Sequence, residues 1–142
     1  APMTGLELFT RYDWYIRITL ENLWTEDGLE DVRLHDRFGA EFGVEVVYYS
    51  HGTDPELTPH GKSAKIFLEW NIGALAAGET ATLILHVWTD CNPSKGGMVH
   101  QQFASPGEYY MNSGATVQAN DPSTGRQFST TSAQIKVSAV EG

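Results

Sequence analysis

The sequence predicts an all-β protein, an antiparallel β-sandwich of about seven or eight strands. Three observations carry this. Apolar and polar residues alternate with period two over several short stretches. Clusters of Gly, Pro, Asn and Asp separate those stretches as turns. No segment long enough for a stable helix shows a helical period.

Taken in order, residues 6–9 open the chain as a short apolar edge strand or arm. Trp14, Ile16, Ile18 and Leu20 then alternate with Tyr15, Arg17, Thr19 and Glu21, a half-buried strand. Residues 22–28 end in Asp27-Gly28, a turn, and Val32 and Leu34 form the next short strand, closed by Asp36-Arg37-Phe38-Gly39. Residues 44–49 are rich in β-branched and aromatic side chains and form a strand, whereas residues 51–63 carry Pro55 and Pro59 and read as a loop.

The stretch 68–90 organises the chain. Ile66, Leu68, Trp70 and Ile72 on one side, and Ala81, Leu83, Leu85 and Val87 on the other, flank a small-residue connection at 73–79. This pattern predicts an antiparallel hairpin with one buried face on each strand. Residues 92–107 read as a long irregular connection with a short strand near 98–103. Residues 109–119 alternate as one strand, 120–125 form a turn, and Ala133, Ile135, Val137 and Ala139 share one face of the last strand. Uneven strands and irregular connections favour a sandwich over a closed barrel. The expected organisation is therefore an N-terminal arm or edge strand over 1–13 and one sandwich domain over 14–142.

The 142 residues include 18 acidic and 9 basic side chains, a net charge of -9. That balance repels phosphate backbones, so no nucleic-acid partner is expected. No apolar run approaches the roughly 20 residues needed to span a bilayer, so no membrane insertion is expected. Cys91 is the only cysteine, which leaves packing rather than an internal disulfide to hold the fold.

Four pieces of sequence resemble one known family: 15–22 (YIRITLEN), 31–36 (DVRLHD), 68–83 (LEWNIGALAAGETATL) and 112–117 (NSGATV). In order and spacing they are similar to the conserved-repeat, immunoglobulin-like domain found in tandem arrays on prokaryotic cell-surface proteins and adhesins. The resemblance implies an immunoglobulin-like sandwich with an extracellular structural or adhesive role and no catalytic set. Two departures, Arg37-Phe38-Gly39 after Asp36 and the long 92–107 connection, suggest a specialised member such as a filament subunit.

Motifs for chemistry are sparse. There is no Gly-x-Ser-x-Gly elbow, zinc-protease helix signature or phosphate-cradling Gly loop, so no catalytic residue is assigned and an enzyme is not expected. Glu69 and Glu45 are a carboxylate pair of the kind used on glycosides, but nothing in the sequence places them together. His51, Asp54 and His60 share a loop and His35 adjoins Asp36, yet neither spacing is a recognised metal-ligand motif. No metal and no cofactor is expected. The acidic turn 26–31 lacks the spacing of a calcium loop and reads as solvated charge. An internal isopeptide between Lys65 or Lys136 and Asn112 needs a desolvated amine, whereas alternation points all three side chains away from the apolar row.

The informative surplus is aromatic and apolar. Ile84, His86 and Trp88 form an outward row on a strand whose other face is core, which a lone sandwich does not need. Together with Leu6, Leu8 and Phe9 of the N-terminal segment, which could add a strand to a neighbour, they form the expected partner interface. The expected function is a non-enzymatic, extracellular building block of a cell-surface array or filament, with copies of itself or adjacent domains as partners. The alternative is an adhesive or carbohydrate-binding module that offers Trp88 and Trp24 to a glycan.

Overall fold

The computed structural model describes residues 2–60, 65–89, 107–132 and 135–140, with backbone alone for Pro59, His60, Ala139 and Val140. Cys91 and the strand expected near 98–103 lie outside the described residues. Eleven strands are described: β1 (Leu6–Glu7), β2 (Tyr12–Glu21), β3 (Leu29–Phe38), β4 (Gly43–Tyr49), β5 (Glu56–His60), β6 (Lys65–Leu75), β7 (Thr80–Thr89), β8 (Gly107–Asn112), β9 (Thr116–Asn120), β10 (Gln127–Thr131) and β11 (Ile135–Val140). They form an antiparallel β-sandwich. Its larger sheet runs β1-β11-β8-β3-β6-β5, with β9 paired to β3 and β10 to β9; its smaller sheet is β2-β7-β4. Only the pairing of β1 with β11 is parallel among these.

Period-two alternation sets the core. Trp14, Ile16, Leu83, Leu85 and Val87 of the small sheet are buried, as are Leu34, Phe38, Leu68, Trp70, Met111 and Val137 of the large one. The expected rows of β2 and β7 are thus found as read.

The stretch 68–90 is not a hairpin. β6 pairs with β3 and β5, whereas β7 pairs with β2 and β4, so the connection between them crosses from one sheet to the other. Alternation marks a buried face but does not say whether the next strand lies beside it or across the core.

Asn22, buried at the end of β2, holds that crossing. Its Nδ2 donates to the carbonyls of Asp27, Leu75 and Ala76 at 2.9, 3.2 and 3.3 Å, and its Oδ1 accepts from Trp24 N at 3.1 Å. Its backbone also bonds both ways to the crossing, from Asn22 N to Glu79 O and from Gly78 N to Asn22 O. One amide thereby satisfies carbonyls that two sheet-crossing connections leave unpaired.

Three further readings are corrected. Residues 56–60, taken as loop, form β5; it is an edge strand, the position in a sheet that tolerates Pro59. The single strand over 109–119 is two. Where β8 pairs with β11, the single step from Ile135 to Lys136 faces the two from Asn112 to Tyr110, a β-bulge at Met111 that puts Asn112 on the buried side beside it. Finally, β10 escaped notice because its one large apolar residue, Phe128, packs on Trp24 rather than in an alternating row.

Candidate functional site

The outer face of the small sheet is a ladder of three strands in fixed register. Asp13, Trp88 and Gly43 share one rung; Tyr15, His86 and Glu45 the next; Arg17, Ile84 and Tyr48 the third. Period two from the buried rows puts these side chains outward. β4 reaches the third rung through a bulge between Val46 and Tyr48, which leaves Val47 half exposed.

His86 is the centre of this face. Its Nδ1 lies 2.7 Å from Glu45 Oε1 and its Nε2 lies 2.6 Å from Asp13 Oδ1, so the central strand is clasped to both neighbours. Carboxylates only accept, so satisfying both contacts requires a proton on each ring nitrogen, the imidazolium. Tyr15 stacks on the ring at 5.1 Å and Trp88 lies tilted against it at 5.1 Å. Arg11 sits 5.7 Å above the Trp88 ring and pairs with Asp13 at 2.9 Å. Trp88 packs directly on Gly43, where any Cβ would overlap the indole.

Burial by itself lowers the His86 pKa, but the hydrogen bonds from Glu45 and Asp13 outweigh it and hold the imidazole above its ordinary value. The Arg11 and His86 hydrogen bonds hold Asp13 below the ordinary carboxylate range. A raised imidazole contributes stability fully below its unfolded value of about 6.5, and loses it as pH rises through the folded value. The lowered Asp13 contributes above about 3.9 and loses it as pH falls through its folded value. Thermal melts between pH 5 and 9 should therefore show a falling Tm with rising pH, and a flatter profile in His86→Gln. Parallel profiles would remove His86 from the pH dependence.

Of the other residues expected at the interface, Leu6 is fully buried and its strand pairs with β11 of the same chain. Leu8 packs partly buried against the core, and Phe9 is 47% exposed at a positive φ of 51°. The N-terminal segment is thus docked on its own sandwich, with only Phe9 well exposed among the three. Sequence reasoning missed Asp13, Tyr15 and Glu45 as partners of His86. Their types are unremarkable singly, and only strand register brings them together.

The remaining candidates scatter. Glu69 is on the large sheet and Glu45 on the small one, so they form no pair. His51 contacts Ser50 Oγ at 2.6 Å through Nδ1 and Glu79 Oε2 at 3.1 Å through Nε2. Among the described residues no three His, Cys, Asp or Glu side chains converge as metal ligands. Of the acidic stretch 26–31, expected as a turn, residues 29–31 lie in β3, and Asp31 accepts from Asn120 Nδ2 at 3.1 Å. Lys136 is exposed and paired with Glu108 at 3.2 Å. Asn112, by contrast, is buried, contrary to the alternation, and its Nδ2 donates to the buried Asp36 at 2.8 Å. Trp24 is 36% exposed and meets Phe128 edge-on at 5.2 Å.

The larger sheet carries its own depression. A cavity of about 450 Å³ lined by His35, Arg37, Phe67, Glu69, Thr116 and Thr131 adjoins one of about 300 Å³ that shares His35 and Glu69 and adds Arg33.

Two packed sheets, a core built from alternating inward faces and connections that cross between sheets define an immunoglobulin-like β-sandwich. Solved structures with this fold include domains D2 and D3 of the major pilin SpaD from Corynebacterium diphtheriae, with a TM-score of 0.56 and 14% identity over 93% of this chain. The full-length SpaD pilin aligns equally well, at a TM-score of 0.56 and 14% identity. The chain spans about half of the first structure, 48%, and 32% of the second. No protein-family model and no curated protein matches the chain.

Proposed function

We propose that this domain is a non-enzymatic, extracellular building block of a cell-surface array or filament, joined to copies of itself or to adjacent domains through the outer face of the small sheet. The observation that carries the reading is the apolar content of that face: Tyr15 is 70% exposed, Tyr48 50% and Val47 52%, beside Ile84 and Trp88. A sheet face of this kind becomes favourable when another surface covers it, at roughly 25 cal/mol for each Å² of apolar area removed from water. The His86 clasp keeps the three strands in register, so the face is presented as a rigid surface. Kinship in fold to a pilin domain supports the same reading, as does the resemblance to tandem surface repeats. Phe9, exposed in the N-terminal segment, is a further contact for a partner, and Leu6 and Leu8 anchor that segment to the domain. Electron microscopy of the purified native material should show filaments or ordered arrays. Uniformly monomeric particles at high concentration would count against the proposal.

A further inference from the structure

β3 places Arg33, His35 and Arg37 at two-residue intervals on the outer face of the large sheet, opposite the assembly face. These are conspicuous in a chain of net charge -9 with nine Lys and Arg. Among the described residues neither arginine has a carboxylate within 4.0 Å, and Arg37 is held over the Phe67 ring at 5.0 Å. The two adjoining cavities run along this row. Unpaired guanidinium groups lining a groove, one of them steadied by an aromatic ring, are a site for anionic groups.

Arg33 and Arg37 are four residues apart along one strand, about 13 Å at roughly 3.3 Å per residue. Each lines a different one of the two cavities, Arg37 the larger and Arg33 the smaller, so a ligand that engages both along the groove is a chain of acid-bearing units. Its backbone chemistry follows from the walls. β3 is hydrogen-bonded on both sides, to β6 and to β9, so the groove floor offers no free strand edge for a peptide main chain. What lines it instead are hydroxyls and a carboxylate: Thr116, Thr131 and Glu69, partners for sugar hydroxyls. The acidic groups at the other end, Asp54 and Glu56, oppose a dense polyanion and favour one whose charges are spaced by neutral hydroxyl-bearing positions.

We propose that this groove binds an acidic oligosaccharide, its carboxylate or sulfate groups held by Arg33 and Arg37 and its hydroxyls by Glu69, Thr116 and Thr131. The site is independent of assembly through the small sheet.

Calorimetric titration with a galacturonate tetramer and with a heparin-derived tetrasaccharide tests it and separates the carboxylate from the sulfate source. At least one should bind saturably, more weakly as salt rises. Arg33→Gln with Arg37→Gln should weaken binding by about tenfold or more, because charge-assisted contacts are lost. Both side chains are exposed, so the melting temperature should stay unchanged. Ile84→Glu, on the other sheet, should leave binding intact. The proposal is overturned if neither sugar binds, if the double variant binds as well as the wild type, if Ile84→Glu abolishes binding, or if a polyglutamate peptide binds as tightly as the sugars.

Discussion

Trp70→Ala should lower the unfolding free energy by about 4 kcal/mol, within the range for deleting a buried Trp. Trp70 is 1% exposed at the centre of β6, among the largest fully buried side chains. Its loss removes apolar burial and leaves a cavity that packed neighbours on both sheets fill only in part. A second cost is specific to this fold. Trp70 Nε1 donates to His51 O at 2.9 Å and so pins the connection that leaves β4. The same connection approaches β6 at Gly52, which has a positive φ of 75° and no room for a Cβ against the Asn71 carbonyl. Truncation should therefore loosen residues 50–53 as well as the core. Urea unfolding measures the first effect and amide exchange at Thr53, whose N–H donates to Asn71 O at 3.1 Å, measures the second. A loss under about 2 kcal/mol would show that the two sheets do not close around this residue.

Asn112→Ala is expected to cost about 3 kcal/mol at neutral pH, because it strips a partner from a buried carboxylate. Burial pushes the Asp36 pKa up, while hydrogen bonds from Asn112 and from the backbone of Arg37 and Ser113 restrain it. The substitution also leaves the Ile135 N–H, which donates to Asn112 Oδ1 at 2.9 Å, without its acceptor. The pH sign follows from the raised value. Stability linked to Asp36 is full below the ordinary unfolded value of about 3.9 and falls as pH rises through the higher folded value. Removing Asn112 penalises the ionised form most, so the difference between variant and wild type should shrink as the pH is lowered towards 4. Denaturant titrations at pH 4 and 7 give both numbers. A difference that does not change with pH would place the cost in lost packing, not in the carboxylate.

Much of the sandwich was legible because inward rows declare themselves. Trp14 to Leu20 and Ala81 to Val87 alternate cleanly, and both rows line the core. What alternation does not encode is partnership. β6 and β7 have the faces of a hairpin yet belong to different sheets, and the crossing between them is held by Asn22, a residue distant in sequence whose amide bonds to its carbonyls. Bulges are equally silent: one extra residue at Met111, where β8 pairs with β11, changed the side of Asn112, and with it the reading of that residue as solvent-facing. The outward row Ile84, His86 and Trp88 was readable from period two alone. The Asp13 and Glu45 clasp was not, since it depends on the registers of β2 and β4 against β7.

The outer face of the small sheet as the joining surface is tested most directly by sedimentation velocity of the wild type and Ile84→Glu over a range of concentrations. Ile84 is only partly buried beside Arg17 and Tyr48, so the substitution places a charge on the face and leaves the buried core rows in place. The expected result is association of the wild type with rising concentration and a monomer for Ile84→Glu at an unchanged melting temperature. A wild type that stays monomeric throughout, or a variant that associates as the wild type does, would contradict it.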